Sequence, residues 1–296
     1  MTDAVLLIQH GSVEDPSEIP DFVRTIRRGR PTPQSVIDEV THRWKAIGGS
    51  PLKAITEAQA RALGARLGIP VAHGARLWKP WAKDVVRDLV AAGARRVVSL
   101  PLAPFSVHVY NAASEEACAA AGATCVPVPA WNEEPALIDA FAEVTGAALG
   151  GPSLGAPSLG KSEAHVLFTA HSLPKRVIAM GDPYEGQVHA TARLVAAKLG
   201  LPRWSVAFQS TGMDGGEWLG PDLPTALDDV RAAGVRDVLV CAIGFLADHT
   251  EILFDLDIEA RALAEQKGLV LHRAASLNDH PRLIDALEAL ARRALG

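Results

Sequence analysis

Residues 58–70, AQARALGARLGIP, and residues 190–202, ATARLVAAKLGLP, are identical at seven of thirteen positions. Two further matches keep the same order along the chain: VLLIQH (Val5–His10) with VLFTAH (Val166–His171), and AGARRV (92–97) with AGVRDV (233–238). Ala-rich helices generate chance matches, but three segments in one order point to an internal duplication. Around them, short apolar runs alternate with longer amphipathic stretches. The runs predict strands at Ala4–Gln9, Val71–Arg76, Arg96–Pro101, Thr124–Pro127, His165–Ala170, Ser205–Gln209, Asp237–Ala242 and Leu269–His272. The amphipathic stretches predict helices at Pro33–Ala46, Glu57–Leu67, Ala82–Ala92, Ala113–Ala121, Pro135–Leu149, Glu185–Leu199, Leu223–Ala233, Glu251–Lys267 and Arg282–Leu295. Strands separated by helices of this length imply parallel sheets joined by right-handed crossovers. The expected fold class is therefore α/β: two similar, doubly wound, Rossmann-like halves facing across a cleft. In such sheets ligands bind beyond the carboxyl ends of the strands.

The stretch GGPSLGAPSLG (150–160) holds neither helix nor strand and reads as an exposed linker or loop. It sets the expected halves at 1–149 and 163–296, joined by a linker over 150–162, with the last helix returning to the N-terminal half. Lys plus Arg number 29 against 34 Asp plus Glu, a formal charge of −5, so no global basic field exists to bind nucleic acid. Cys118, Cys125 and Cys241 lack CxxC spacing and are odd in number, which suits a reducing cytosol. MTDAVLLIQHG is not a secretory signal, and no apolar stretch reaches the roughly 20 residues of a membrane span. A soluble, cytoplasmic monomer is the expectation.

The duplication places His10 and His171 at matching strand ends, and at the same offset pairs His108 with His249 and Tyr110 with Glu251. Imidazoles as a class accept protons near neutrality and ligate borderline metals. In GFLADHTEILFDLDIEA (Gly244–Ala260), Glu251, Asp255 and Glu259 recur every four residues and share one helix face. Two readings stay open: an Asp248–Glu251 capping box followed by a solvated stripe, or a carboxylate ladder that conducts cations or protons. Asp222 in WLGPD reads as a helix N-cap. The neighbouring GMDGG matches neither a Walker loop nor GxGxxG. In the N-terminal half, Arg27, Arg28 and Arg30 of TIRRGRPTP suit a solvated face or carboxylate recognition. RWKAIGGSPL (Arg43–Leu52) contains a tight turn able to present Ser50, and Arg76, Trp78 and Trp81 combine cation with aromatic surface.

Taken together, IRRGR, IGGSPL, FTAHSLP, GDPY, the QS…WLGPD run and GF.ADH.E…D.D.E resemble the ferrochelatases in order and spacing, over nearly the whole chain apart from GGPSLGAPSLG. The resemblance implies two Rossmann-like domains and insertion of Fe²⁺, as substrate, into a porphyrin in haem biosynthesis, with coproporphyrin III slightly preferred over protoporphyrin IX. It places metal and catalysis on His171 and Glu251, extends the metal path to Asp255 and Glu259, and assigns porphyrin contacts to His10, Arg27, Arg43, Trp44, Ser50 and Tyr110. A histidine at position 10 as a ligand of product iron would leave a haem-type product held by the protein. Three scattered cysteines speak against an iron–sulfur cluster. Two departures stand out: His10 occupies a position where coproporphyrin-type relatives have tyrosine, and the run after Leu102-Ala103-Pro104 is about four residues short of theirs, which bears on Tyr110. Other readings are a chelatase for another metal such as cobalt, or a haem carrier with His10 as axial ligand.

Overall fold

The computed structural model describes residues 2–150, 159–211 and 216–296. The chain forms two compact units: Met1–Trp131 with Ala247–Thr250 and Asn278–Gly296, and Asn132–Leu246 with Glu251–Leu277. Residues 151–158 of the expected linker, and 212–215 of the GMDGG turn, lie outside the described residues.

In the first unit, β1 (Thr2–Gln9) is flanked by β2 (Val71–Ala75) and β3 (Ala94–Pro101), and β4 (Thr124–Pro127) adds beyond β3, giving the parallel order β2-β1-β3-β4. The second unit repeats this with β5 (His165–His171), β6 (Trp204–Gln209), β7 (Asp237–Cys241) and β8 (Val270–Arg273) in the order β6-β5-β7-β8. Each predicted strand is present to within two residues at either end. The two sheets also share a detail: Ala75 N donates to Pro80 O (2.6 Å) and Phe208 N to Pro221 O (2.8 Å), each just before a helix. Those helices are α4 (Ala82–Ala91) and α9 (Leu223–Ala232). In both units the order reverses beside the first strand, so His10, just after β1, and His171, the last residue of β5, lie at the switch points.

The crossover helices bury one face each. In the first unit α1 (Ile19–Arg27), α2 (Gln34–Ala46) and α3 (Leu52–Leu67) precede β2, and α5 (His108–Ala121) precedes β4. Leu6, Ile8 and Val97 of the sheet pack with Ala82 and Val86 of α4 and Ala117 and Cys118 of α5. Helix α1 is absent from the sequence reading, which placed Arg27 and Arg28 in a loop ahead of a helix. Arg27 in fact ends α1, and Arg28 is its left-handed cap at φ +49°. Pro20 does not stop this helix because the first helical turn needs no N–H at that position.

Helix α6 (Pro135–Gly150), placed by sequence in the first half, groups with the second unit. Its Thr145 Oγ1 bonds Cys241 Sγ of β7 (3.2 Å), and its Asp139 pairs with Lys198 of α8 (Tyr184–Leu199) at 2.6 Å. A short α7 (Lys175–Ala179) precedes α8. The stretch predicted as one helix over Glu251–Lys267 is instead a π-helical segment, Glu251–Ala260, running into α10 (Arg261–Gln266). Ile252, Leu256 and Ala260 pack on Val238, Val240 and Leu271 of β7 and β8. Each buried aliphatic side chain there contributes about 1.5–3 kcal/mol, which fixes the segment's polar side outward. The last helix, α11 (Pro281–Leu295), belongs to the first unit, where Asp285 pairs with Arg66 of α3 at 2.6 Å.

Candidate active site

Strand β5 carries Thr169 and Ala170 fully buried and then releases His171 into a half-exposed position. The turn that follows is stitched to the WLGPD run. Ser172 N donates to Gln209 O (2.7 Å), Ser172 Oγ to Leu219 O (2.9 Å), and Leu219 N to Leu173 O (2.9 Å). Tyr184 of the GDPY motif donates its hydroxyl to His171 O at 3.0 Å. Asp222, as the sequence indicated, caps α9 by accepting from Thr225 N at 2.9 Å. FTAHSLP, GDPY and WLGPD are therefore one scaffold around a single imidazole.

The ring itself is oriented. His171 Nδ1 lies 2.5 Å from Ser172 O. A carbonyl oxygen only accepts, so Nδ1 carries a hydrogen, and in the neutral ring the lone pair is on Nε2. Nε2 faces Glu251 Oε2 at 3.8 Å, the two side chains being 34% and 39% exposed. A lone pair and a carboxylate aimed at one gap define a place for a proton or a cation.

Glu251 opens the π-helical segment. In that geometry hydrogen bonds run i→i+5, so residues four apart stay close to one line. Exposure changes along the line: Glu251 is half-buried, Asp255 is buried and Glu259 is exposed. Asp255 Oδ2 accepts from Ser210 Oγ at 2.5 Å. Between the ladder positions, Asp257 accepts both arms of the Arg273 guanidinium (2.7 and 2.9 Å), tying the segment to β8. Among the described residues, no group of three or more His, Cys, Asp or Glu side chains is disposed to hold a metal ion.

Gly244, which follows β7, leaves no room for a side chain. A Cβ there would stand 2.6 Å from both Cα and Cβ of Ala170, the residue before His171. Glycine lets the post-β7 turn lie against the site strand, with Gly244 N donating to Thr169 O at 3.0 Å.

The first unit holds the other sequence candidates. His10 is exposed after β1, its carbonyl accepting from Leu77 N at 2.9 Å. Arg27 Nε reaches Pro31 O (2.8 Å), and Arg43 Nε reaches Glu39 Oε1 (2.6 Å). Trp44 packs beside a core of Val13, Ile19, Val23, Ile37 and Trp78, while its Nε1 donates to Val13 O at 3.4 Å. The tight turn after Trp44 lies over its indole, so a Cβ on Gly49 (φ +103°) would meet the ring at 3.2 Å. Ser50 Oγ, at the end of that turn, is buried with no hydrogen-bond partner among the described residues. Tyr110 packs on the core under α5. Arg76, noted beside Trp78 and Trp81 in the sequence, is half-buried, and its guanidinium is held below the usual arginine range by burial and then by Arg28, with Tyr110 acting oppositely. Gln209 and Ser210, present in the QS…WLGPD run, have contacts that depend on backbone geometry and that the sequence alone does not assign.

A pair of doubly wound parallel sheets, the second with an imidazole and a carboxylate at its strand-end mouth, is a chelatase-type fold. One solved structure with this architecture is SirB from Bacillus subtilis with Fe³⁺ (TM-score 0.63, 12% identity, covering 99% of this chain and 96% of that one). Residues 2–295 match the family model described as Ferrochelatase. A ferrochelatase of Acidobacterium capsulatum is 41% identical, covering 99% of this chain and 94% of its own length, and one of Deinococcus radiodurans is 37% identical over 98% and 95%. A coproporphyrin III ferrochelatase of Halalkalibacterium halodurans is 33% identical over 98% and 96%. The chain belongs to the ferrochelatase family, enzymes that insert Fe²⁺ into a porphyrin and so act in haem biosynthesis. No helix among the described residues is long and apolar enough to cross a membrane.

Proposed function

We propose that this chain inserts Fe²⁺ into coproporphyrin III, with protoporphyrin IX as the poorer substrate, and that His171 and Glu251 handle metal and protons. The observation that carries the reading is the His171 Nε2 lone pair facing the Glu251 carboxylate at 3.8 Å. Insertion exchanges two pyrrole N–H protons for one divalent ion. His171 Nε2 accepts the two protons in turn, releasing each to solvent before taking the next, a role for which a positioned imidazole is suited. Glu251 takes the incoming cation from its water and delivers it to the nitrogens, and Asp255 and Glu259 line the path to solvent. Binding that favours a bent macrocycle exposes the nitrogens and lowers the barrier.

In the first unit, Arg27, Arg43 and Ser50 are proposed to take the porphyrin carboxylates, with Trp44, Tyr110 and His10 against the ring. The buried, unpartnered Ser50 Oγ supports recognition of a polar ligand group on that unit. Four carboxylates on coproporphyrin against two on protoporphyrin would make a strongly cationic surface discriminating. His10 is proposed as an axial ligand of product iron, which gives a bound haem-type product. We further propose that the protein works as a cytoplasmic monomer without an iron–sulfur cluster. The test is an absorbance matrix of purified protein with Fe²⁺, Co²⁺ or Zn²⁺ and each porphyrin. Fastest turnover with Fe²⁺ and coproporphyrin III is the expected result; turnover confined to another tetrapyrrole or to Co²⁺ overturns the reading.

A further inference from the structure

Gln209 ends β6, and Ser210 follows it. Together they touch the site at three points. Gln209 O accepts from Ser172 N at 2.7 Å, its Nε2 donates to Glu251 O at 3.4 Å, and Ser210 Oγ donates to Asp255 Oδ2 at 2.5 Å. Strand register sets Gln209 beside His171, so both side chains leave the same face of the sheet. One dipeptide therefore holds the backbone beside the imidazole, the backbone of the first ladder residue and the carboxylate of the second.

Ser210 adopts φ +60°. A left-handed conformation costs an L-residue about 1–2 kcal/mol, and glycine would adopt it freely. The strain is matched by a contact that glycine could not make, since Asp255 is only 7% exposed and takes the serine hydroxyl. Strained backbone of this kind persists where surrounding structure enforces it, commonly at sites of function. Gln209 is itself only 3% exposed, and its Oε1 is buried with no hydrogen-bond partner among the described residues, as is Thr169 Oγ1 two residues before His171. Buried oxygens left unpaired are uncommon in a region built only for stability.

We infer that Gln209–Ser210 is a positioning element for the carboxylate ladder: Gln209 sets the start of the π-helical segment, and Ser210 fixes where the Asp255 carboxylate points. This rests on the insertion reading for its kinetic consequence. Its structural consequence is independent of that reading.

The test uses full-length protein carrying Ser210→Gly or Ser210→Asn. In the glycine variant, relief of the left-handed strain offsets the lost hydroxyl contact and leaves glycine's larger loss of backbone entropy on folding, so the Tm falls by only a few degrees. Its kcat for metal insertion falls about ten- to a hundred-fold, as misplacement of a site group does, with the porphyrin KM unchanged. Its crystal structure shows the Asp255 carboxylate rotated away. Asparagine tolerates the left-handed region and offers an N–H donor, so Ser210→Asn recovers part of the lost kcat. A glycine variant with wild-type kcat, or with the Asp255 carboxylate still in place, overturns the inference. If wild-type protein inserts no metal, the functional reading falls, and the carboxylate's position in the glycine variant still decides the positioning claim.

Discussion

His171 Nε2 stands 3.8 Å from Glu251 Oε2, while His171 Nδ1 is tied to Ser172 O at 2.5 Å. The second contact gives the first its meaning. With its Nδ1 hydrogen committed to a carbonyl, the neutral ring turns its Nε2 lone pair toward the carboxylate, and a proton or cation between them completes the pair. The consequences reach from fold stability to the haem product.

Gly244 permits this arrangement by letting one turn lie directly on Ala170. Gly244→Ala forces a Cβ to within 2.6 Å of that residue. Overpacking of this sort costs about 1–3 kcal/mol. A lower urea midpoint is expected, together with a loss of insertion activity larger than the folded fraction explains, because His171 adjoins the displaced residue. Wild-type stability and activity in this variant would show that the turn adapts freely.

Arg273 fastens the π-helical segment to β8 through both oxygens of Asp257. Lysine keeps the charge but cannot reproduce the fork. Arg273→Lys should lower the unfolding free energy by about 1.5–3 kcal/mol, the worth of a hydrogen bond to a charged group. Chemical denaturation measures it, and a change below a few tenths of a kcal/mol would place the anchor elsewhere.

Burial holds the His165 imidazole below its ordinary value of 6.5, with Arg203 acting the same way, and burial also lowers His73. The unfolded chain takes up these protons near 6.5, while the folded chain resists until lower pH. Their contribution is thus fully present above the unfolded value and is lost as pH falls below it. Denaturation from pH 8 to 5 should show stability declining below about 6.5, and His165→Gln should shallow that decline. An identical slope in the variant would remove His165 as a source.

How much of this was legible in the sequence depends on what each feature rests on. The strands were readable because β-branched and apolar runs such as VLLIQ and VLFTA are bounded by polar turns, and because glycines such as Gly68 and Gly200 take the left-handed caps at φ +69° and +61°. Helix α1 could also have been found: Ile19, Phe22, Val23 and Ile26 have helical spacing, and Pro20 disguised it. The acidic ladder was visible as a spacing of four, but α and π helices share that spacing closely enough that i→i+5 bonding leaves no mark in composition. His171 and Glu251 were both readable as motif residues, yet the lone-pair orientation rests on a carbonyl one residue away. Ser210 was least visible, since nothing in the letters QST announces a positive φ.

Because His10 is exposed directly after β1, its proposed ligation of product iron has a spectroscopic consequence. His10→Ala should shift the Soret band of the haem complex and change the insertion rate much less. An unchanged spectrum would exclude His10 as the ligand.

The most direct measurement compares initial rates of Fe²⁺ insertion in wild-type and His171→Ala protein, with porphyrin affinity read in parallel by fluorescence quenching. Loss of a positioned general base predicts a rate lower by roughly 10²–10⁴-fold, with porphyrin affinity nearly unchanged. A His171→Ala enzyme that inserts iron at the wild-type rate would contradict the account.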